Sequence, residues 1–394
     1  MLKRNKTKLA VIALSAALAL TSCGNKDKDV NKEESQVVEE VKDETGLVHE
    51  KEMELKYAKH FKVDYYKDGY KKITDASDRE ILLIPEGKEI PEMEKEMLTL
   101  QMPIDTVGLY STVDASWFRP INLMDKIATV TFDKEKWQMD EMIENFENET
   151  TTFVGKSSAL DYELIQEVNP SLHLLSKSSE EKLFPKFDEL ELDYVSMGAY
   201  LEEDPRARME WMKFVAALFD KEEEAEEYFE NELKRIEEVV AKVEKDNSEK
   251  PNVAIIYFSP SKEIFNVTKP VGHQAVTTEL AGGIPYPTAE MRGDVEGRGN
   301  NSMTNEEFYT QMQDADIIIY DNITGHGIQS MADLLQKAEF VSDLKAVEGK
   351  KVYGLQRTYW QSADKVADMV EDLYEVLNAP EGEFEENRFY FLMD

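Results

Sequence analysis

Cysteine is nearly absent: Cys23 is the only one among 394 residues. An internal disulfide, a multi-cysteine zinc site and a catalytic thiol elsewhere are therefore excluded. Basic residues are scarce too, with 46 Lys and Arg against 81 Asp and Glu and a formal charge of −35. Such a surface argues against nucleic acid, whose phosphates need Lys and Arg to displace counterions. It argues equally against peripheral binding to anionic lipid. The five histidines form no His-Glu-x-x-His motif, so direct capture of bare Zn²⁺ or Mn²⁺ is not expected. No Gly-x-x-x-x-Gly-Lys-Ser/Thr loop cradles a phosphate, and no Gly-x-Ser-x-Gly elbow presents a nucleophile. The apolar run Leu9–Leu20 is too short to span a bilayer, which takes about twenty residues.

What is present begins with an export signal. Lys3, Arg4, Lys6 and Lys8 precede that apolar run, which ends Leu20-Thr21-Ser22-Cys23. The ending resembles the bacterial lipobox, which implies cleavage before Cys23, its lipidation, and a membrane anchor of two or three acyl chains. Residues 1–22 are thus read as a lipoprotein signal and 23–50 as a lipidated disordered tether, polar and poor in apolar residues. Ordered structure is expected from about Met53, with a hairpin around Asp68-Gly69, a strand at Arg79–Ile84 and another at Met97–Leu100.

The organising stretch is a charged helix from about Lys221 to Asp246. Ala225, Tyr228, Phe229, Leu233, Ile236, Val239, Val240 and Val243 fall at three-and-four spacing and mark one buried stripe. Asp220 and Glu223 have capping-box spacing at its start. A shorter helix, with Asp204 as cap and Pro205 at its first position, leads into it. Strands and helices alternate on both sides, and 394 residues exceed a usual single core. Two α/β lobes joined by this helix follow: 51–219, the connector 220–248, and 249–394. In the first lobe a helix-like stretch runs to Leu109, a helix ends at Pro170, and strands lie at Ser171–Leu175 and Asp193–Met197. In the second, Asn252–Tyr257 is a central parallel strand, followed by strands ending at Tyr320 and Leu355.

Val154-Gly155, then Asp161-Tyr162-Glu163-Leu164-Ile165, then Asn169-Pro170-Ser171-Leu172-His173-Leu174, stand in that order. Further on come Thr278-Glu279-Leu280-Ala281-Gly282-Gly283, Ser302-Met303-Thr304-Asn305-Glu306-Glu307-Phe308, Ala315-Asp316-Ile317-Ile318 and Leu344–Tyr353. Together these resemble the substrate-binding proteins of ABC importers for iron-siderophore complexes, haem and cobalamin. Ser171 and His173 depart modestly from the family's Pro-Asp-Leu-Val. The resemblance covers roughly 75–378. It implies two Rossmann-like lobes with mostly parallel sheets, a rigid backbone helix, and a ligand held in the cleft between lobes.

Ligands of open parallel sheets sit outside the carboxyl ends of strands. That rule nominates Gln101 and Met102, Ser176 and Lys177, and Tyr200 in the first lobe. In the second it nominates Ser259, Asn322 to His326, and Arg357 to Gln361, with Tyr359 and Trp360. Trp360 falls where the family often places a cleft aromatic; the alternative is a core tryptophan capping the sheet. Arg292 and Arg298 could pair with an anionic chelate or be solvated loop residues. His273 could ligate haem, although a lone histidine is more often structural; His173 reads as packed. By motif, Glu163 and Glu279 align with the glutamates that family members dock onto permease arginines.

The expected protein is a lipid-anchored, monomeric extracytoplasmic binding protein with no intrinsic cofactor. It would deliver a ferric siderophore, or alternatively haem or cobalamin, to a permease dimer with its ATPase subunits. The competing classes are an exported enzyme on the same architecture and an adhesive surface lipoprotein.

Overall fold

The computed structural model describes residues 41–292, 299–325, 327–380 and 383–394. Residues from Lys42 onward form one compact unit. Among the described residues three large sheets build it, beside a two-stranded one that pairs Gly155–Lys156 with Ala159–Leu160. The first is five-stranded, in the order His49–Glu52, Lys62–Tyr66, Lys71–Thr74, Glu80–Ile84, Leu98–Gln101. Its pairings are antiparallel except the last. The second is wholly parallel: Tyr194–Met197, Leu172–Ser176, Val107–Leu109, Ile127–Val130, Thr152–Phe153. The third has a parallel centre of Asn252–Ser259, Ile317–Tyr320 and Val352–Leu355. Antiparallel strands Ile264–Thr268, Asn300–Met303 and Tyr390–Leu392 flank it.

The expected connector is the Glu222–Lys245 helix, about 36 Å long at 1.5 Å per residue. Its stripe is buried as the spacing requires, with Tyr228 and Val240 at the margin. One face packs on the Pro205–Leu218 helix, the other on the Val366–Asn378 helix. Glu232 lies in the buried stripe, where its carboxylate accepts from Ala367 N at 3.0 Å and pairs with Arg235 at 2.7 Å. A single apolar core runs from Val107, Leu172 and Val195 through these three helices to Ile255, Ile319 and Leu355. The two lobes share this cluster, and the second lobe keeps a further core of its own around Phe258, Phe265, Phe308 and Tyr320.

Three expectations need correction. Asp220 and Glu223 form no capping box: Asp220 sits in the left-handed region at φ 54°, and its carboxylate takes the Lys71 ammonium at 2.6 Å. The stretch to Leu109 ends in a strand, because three buried residues fit between neighbouring strands but are too few for a helix. Order begins near Asp43, before Met53, inside the span assigned to the tether. The Asp43 carboxylate accepts from Thr45 N (2.8 Å), Thr45 Oγ1 and the Tyr66 hydroxyl (2.7 Å), fixing the turn before the first strand.

The first sheet is docked by buried carboxylates. Glu210 is fully buried in its helix and accepts from the backbone N–H groups of Lys56, Tyr57 and Ala58 at 2.8–2.9 Å. Asp75 Oδ2 accepts from Ser196 N, and Ala76 N donates to Ser196 O, so this loop extends the edge of the parallel sheet.

Arg119 of the first lobe forks onto Asp364 of the second at 3.0 and 2.6 Å, with the Asp364 side chain 1% exposed. Removing one partner strands the other's charge in the interior. Arg119→Ala is expected to lower unfolding stability by about 3–5 kcal/mol in urea titration, with most of it recovered when Asp364→Leu is added. An unchanged midpoint in Arg119→Ala contradicts this.

His173 is fully buried against Tyr110 and Phe187. Burial pushes its imidazole down to about 4 from an ordinary 6.5. The unfolded chain therefore binds the proton first: stability is complete above 6.5 and declines as pH falls toward 4. In His173→Gln the slope of unfolding free energy over that window should be flatter by about 1.4 kcal/mol per pH unit. An identical slope in both proteins contradicts the assignment.

Candidate functional site

Helical spacing brings the site together. Pro205 and Arg208 stand three apart on one face of the Pro205–Leu218 helix, which is buried along nearly its whole length. His273 and Thr277 stand four apart on the His273–Leu280 helix of the second lobe. Gly272, at φ 98°, adopts a conformation that side chains disfavour and turns the chain so that the helix opens at His273. Tyr359 and Trp360 lie in the short turn after the Val352–Leu355 strand, outside its carboxyl end.

These six residues line one narrow space of about 30 Å³ between the lobes, closed by Val113, Ala363, Val366 and Met369. That room is well below the ~300 Å³ at which small-molecule pockets begin, so the walls stand close together in this structure. Its wall is aromatic. The His273 ring meets Trp360 edge-on at 5.8 Å, and Trp360 meets Tyr359 edge-on at 5.3 Å. Trp360 Nε1 reaches Asp321 Oδ1 at 3.5 Å, while the same carboxylate holds the 321–324 turn through Thr324 N (2.9 Å) and Thr324 Oγ1 (2.7 Å). Burial pushes the Tyr359 phenol up to about 12, so it stays a neutral hydroxyl. Behind the wall, burial pushes the Asp114 carboxyl up to about 8, opposed by the positive charge of Arg208. Rings of this kind pair with a flat or rigid conjugated surface and a guanidinium with an anionic group, once the walls part enough to admit one.

The other side of the same turn is polar. Thr358, Gln361 and Ser362 face a space of about 340 Å³ shared with Arg119 and Gln138. Gln361 bridges the lobes there, accepting from Gln138 N and donating to Lys136 O, each at 2.8 Å.

Of the residues nominated from sequence, His273, Tyr359 and Trp360 share the aromatic cavity. The others line different places. Met102 is buried in the core, and Gln101 donates to the carbonyls of Ile84 and Pro85. Lys177 donates to Ala76 O at 2.6 Å, and Ser176 closes a turn with Ser178. Those contacts are structural: the first sheet's loop reaches the strand ends where ligand access was expected. Tyr200 is 40% exposed, and Ser259 ends its strand half-buried. Cys23, Arg298 and His326 lie outside the described residues, as does the side chain of Arg292, the last residue of the Ala289–Arg292 helix. Glu163 and Glu279 are exposed on the Tyr162–Val168 and His273–Leu280 helices, and neither joins a salt bridge among the described residues. Sequence reasoning missed Arg208 and Thr277; the i,i+3 step from Pro205 and the i,i+4 step from His273 were the available signals.

The sequence profile described as "Periplasmic binding protein" matches residues 125–359. The chain is 25% identical over 350 residues to an uncharacterised lipoprotein of Methanocaldococcus jannaschii, covering 82% of this chain and 81% of that one. Its fold is similar to a periplasmic haem-binding protein from Pseudomonas aeruginosa (TM-score 0.57, 12% identity, 74% of this chain and 98% of that one). It is also similar to the petrobactin-binding protein YclQ from Bacillus subtilis (TM-score 0.52, 15% identity, 70% and 93%).

Among the four tryptophans, Trp117, Trp137 and Trp211 are at most 2% exposed, whereas Trp360 is half-buried in the cavity wall. Acrylamide should therefore quench mainly Trp360, and Trp360→Phe should remove most of the Stern–Volmer slope. A slope unchanged by the substitution would place Trp360 away from solvent and against this geometry.

Proposed function

The chain belongs to the periplasmic binding protein family, and from that premise we propose that it captures a metal chelate in the inter-lobe cleft and delivers it to an ABC importer. The reading names a ferric siderophore as ligand and Cys23 as the site of a lipid anchor on the outer face of the cytoplasmic membrane. The observation that carries it is the cavity in which Arg208 faces the His273, Tyr359 and Trp360 wall. A ferric chelate offers both matching surfaces: a rigid conjugated face and peripheral anionic oxygens. The haem and petrobactin named for the two similar structures are chemically of this kind. Release would follow docking on the permease, with exposed Glu163 and Glu279 pairing with permease arginines as rim charges that set encounter and orientation.

Haem is the second reading, and His273 favours it: the imidazole lies in the wall, where it could reach an iron centre. Neither reading involves turnover, and the permease's ATPase subunits would supply the energy. Among the described residues no helix is long and apolar enough to cross a membrane, so attachment rests on Cys23 alone in this account.

Titration of the purified protein with ferric petrobactin, ferric staphyloferrin B and haem, followed by tryptophan quenching, tests the proposal. One ferric siderophore per chain, bound at least tenfold more weakly by Trp360→Ala, is the expected result. Saturation by haem alone, with loss of its Soret shift in His273→Ala, would establish the second reading. No binding of any of the three overturns the chelate assignment.

A further inference from the structure

The wall of the cavity is buttressed from the far end of the chain. Beyond the Val366–Asn378 helix the chain returns as the strand Tyr390–Leu392, antiparallel to Val352–Leu355, with Leu355 opposite Tyr390 and Gly354 opposite Phe391. The return is tightly fixed. Arg388 forks onto Asp372 and reaches Asp368, Phe389 N donates to Asp372 Oδ2 at 3.1 Å, and Gln356 N donates to Phe389 O at 2.9 Å. A Cβ at Gly354 would lie 2.3 Å from the Phe391 ring, so strand and tail are shaped to each other. Gln356 opens the turn that carries Tyr359 and Trp360, and the tail holds that turn by its backbone and by its rings. Tyr390 is 2% exposed and meets Tyr359 edge-on at 6.1 Å; Phe389 meets it at 5.9 Å. Tyr359 in turn meets Trp360.

We propose that Tyr390 is a positioning residue of the ligand cleft: through Tyr359 it sets the orientation of Trp360, so the carboxy-terminal strand determines the shape of the wall presented to ligand. Trp360, Phe389 and Tyr390 lie beyond the 125–359 segment of the family match, and Tyr359 is that segment's last residue. This role of Tyr390 rests on the reading of the cavity as the chelate site. Tyr390 touches no ligand, and its effect passes through an edge-to-face pair that fixes ring angle as well as distance. Rigid neighbours that lock a binding group raise affinity by sparing the cost of ordering it.

Two readouts on the purified full chain test it. In the apoprotein, Tyr390→Ala should increase acrylamide quenching of the Trp360 emission, taken as the difference from the same variant carrying Trp360→Phe. In titrations with ferric petrobactin and haem, Tyr390→Ala should weaken whichever probe the wild type binds by about tenfold, the loss expected for one aromatic pair. Tyr390→Phe, which keeps the ring, should restore both readouts. Should Tyr390→Ala fail to fold, Tyr390→Leu, which fills the space without an aromatic edge, carries the same comparison. Wild-type quenching and wild-type affinity in the Ala or Leu variant overturn the proposal. If the wild type binds neither probe, the chelate reading fails, while the apoprotein quenching still decides whether Tyr390 orients Trp360.

Discussion

The arrangement depends on one constraint: the two lobes share an interior. The Pro205–Leu218, Glu222–Lys245 and Val366–Asn378 helices pack on one another, and their side chains belong to the same buried cluster as strands of either lobe. Opening the lobes as independent bodies would expose that surface, at about 25 cal/mol for every Å² of apolar area. Polar contacts reinforce it where the interior reaches the cleft. Arg119 with Asp364, Gln138 with Gln361, and the Tyr228 hydroxyl on the Asp364 carbonyl all join lobe to lobe or helix to lobe. These contacts oppose the swinging apart of the lobes as independent bodies.

That restraint gives the cavity its chemistry. Tyr359 and Trp360 sit on a turn between a buried strand and the Arg119–Asp364 pair, and His273 opens a helix packed on the same core. Side chains so held need little ordering when a rigid ligand arrives. The five-stranded amino-terminal sheet adds a second fixed body, joined through Glu210, Glu202 and Asp75 to backbone N–H groups. About a quarter of the chain has no counterpart in the similar haem-binding structure, and this sheet precedes the family-matched segment.

Much of this was legible in the sequence for simple reasons. The long helix announces itself by an unbroken 3.6-residue apolar period, and the strands at 252 and 317 by β-branched runs bounded by polar turns. Tyr359 and Trp360 were found because a strand's carboxyl end is a geometric landmark. What stayed hidden depended on partners distant in sequence. Nothing local to Lys177 shows that its ammonium will be occupied by the Ala76 carbonyl, 101 residues away. Nothing local to Asp220 shows that Lys71 will draw it out of a helix cap. Arg208 was hidden for another reason: it lies in a helix whose apolar residues dominate the pattern, and its face is defined only once the second lobe is in place. Likewise Tyr390 reads as one more aromatic near the end of the chain until the strand pairing puts it beneath Tyr359.

The most direct measurement on the shared interior is native-state hydrogen exchange across a series of sub-denaturing urea concentrations. It should compare amides of Leu172–Ser176 in one lobe with those of Ile317–Tyr320 in the other. A single interior predicts that both strands exchange through one global opening, with the same free energy and the same urea dependence. Exchange of one strand at distinctly lower free energy and shallower urea dependence would show two lobes that unfold separately, and would contradict the account.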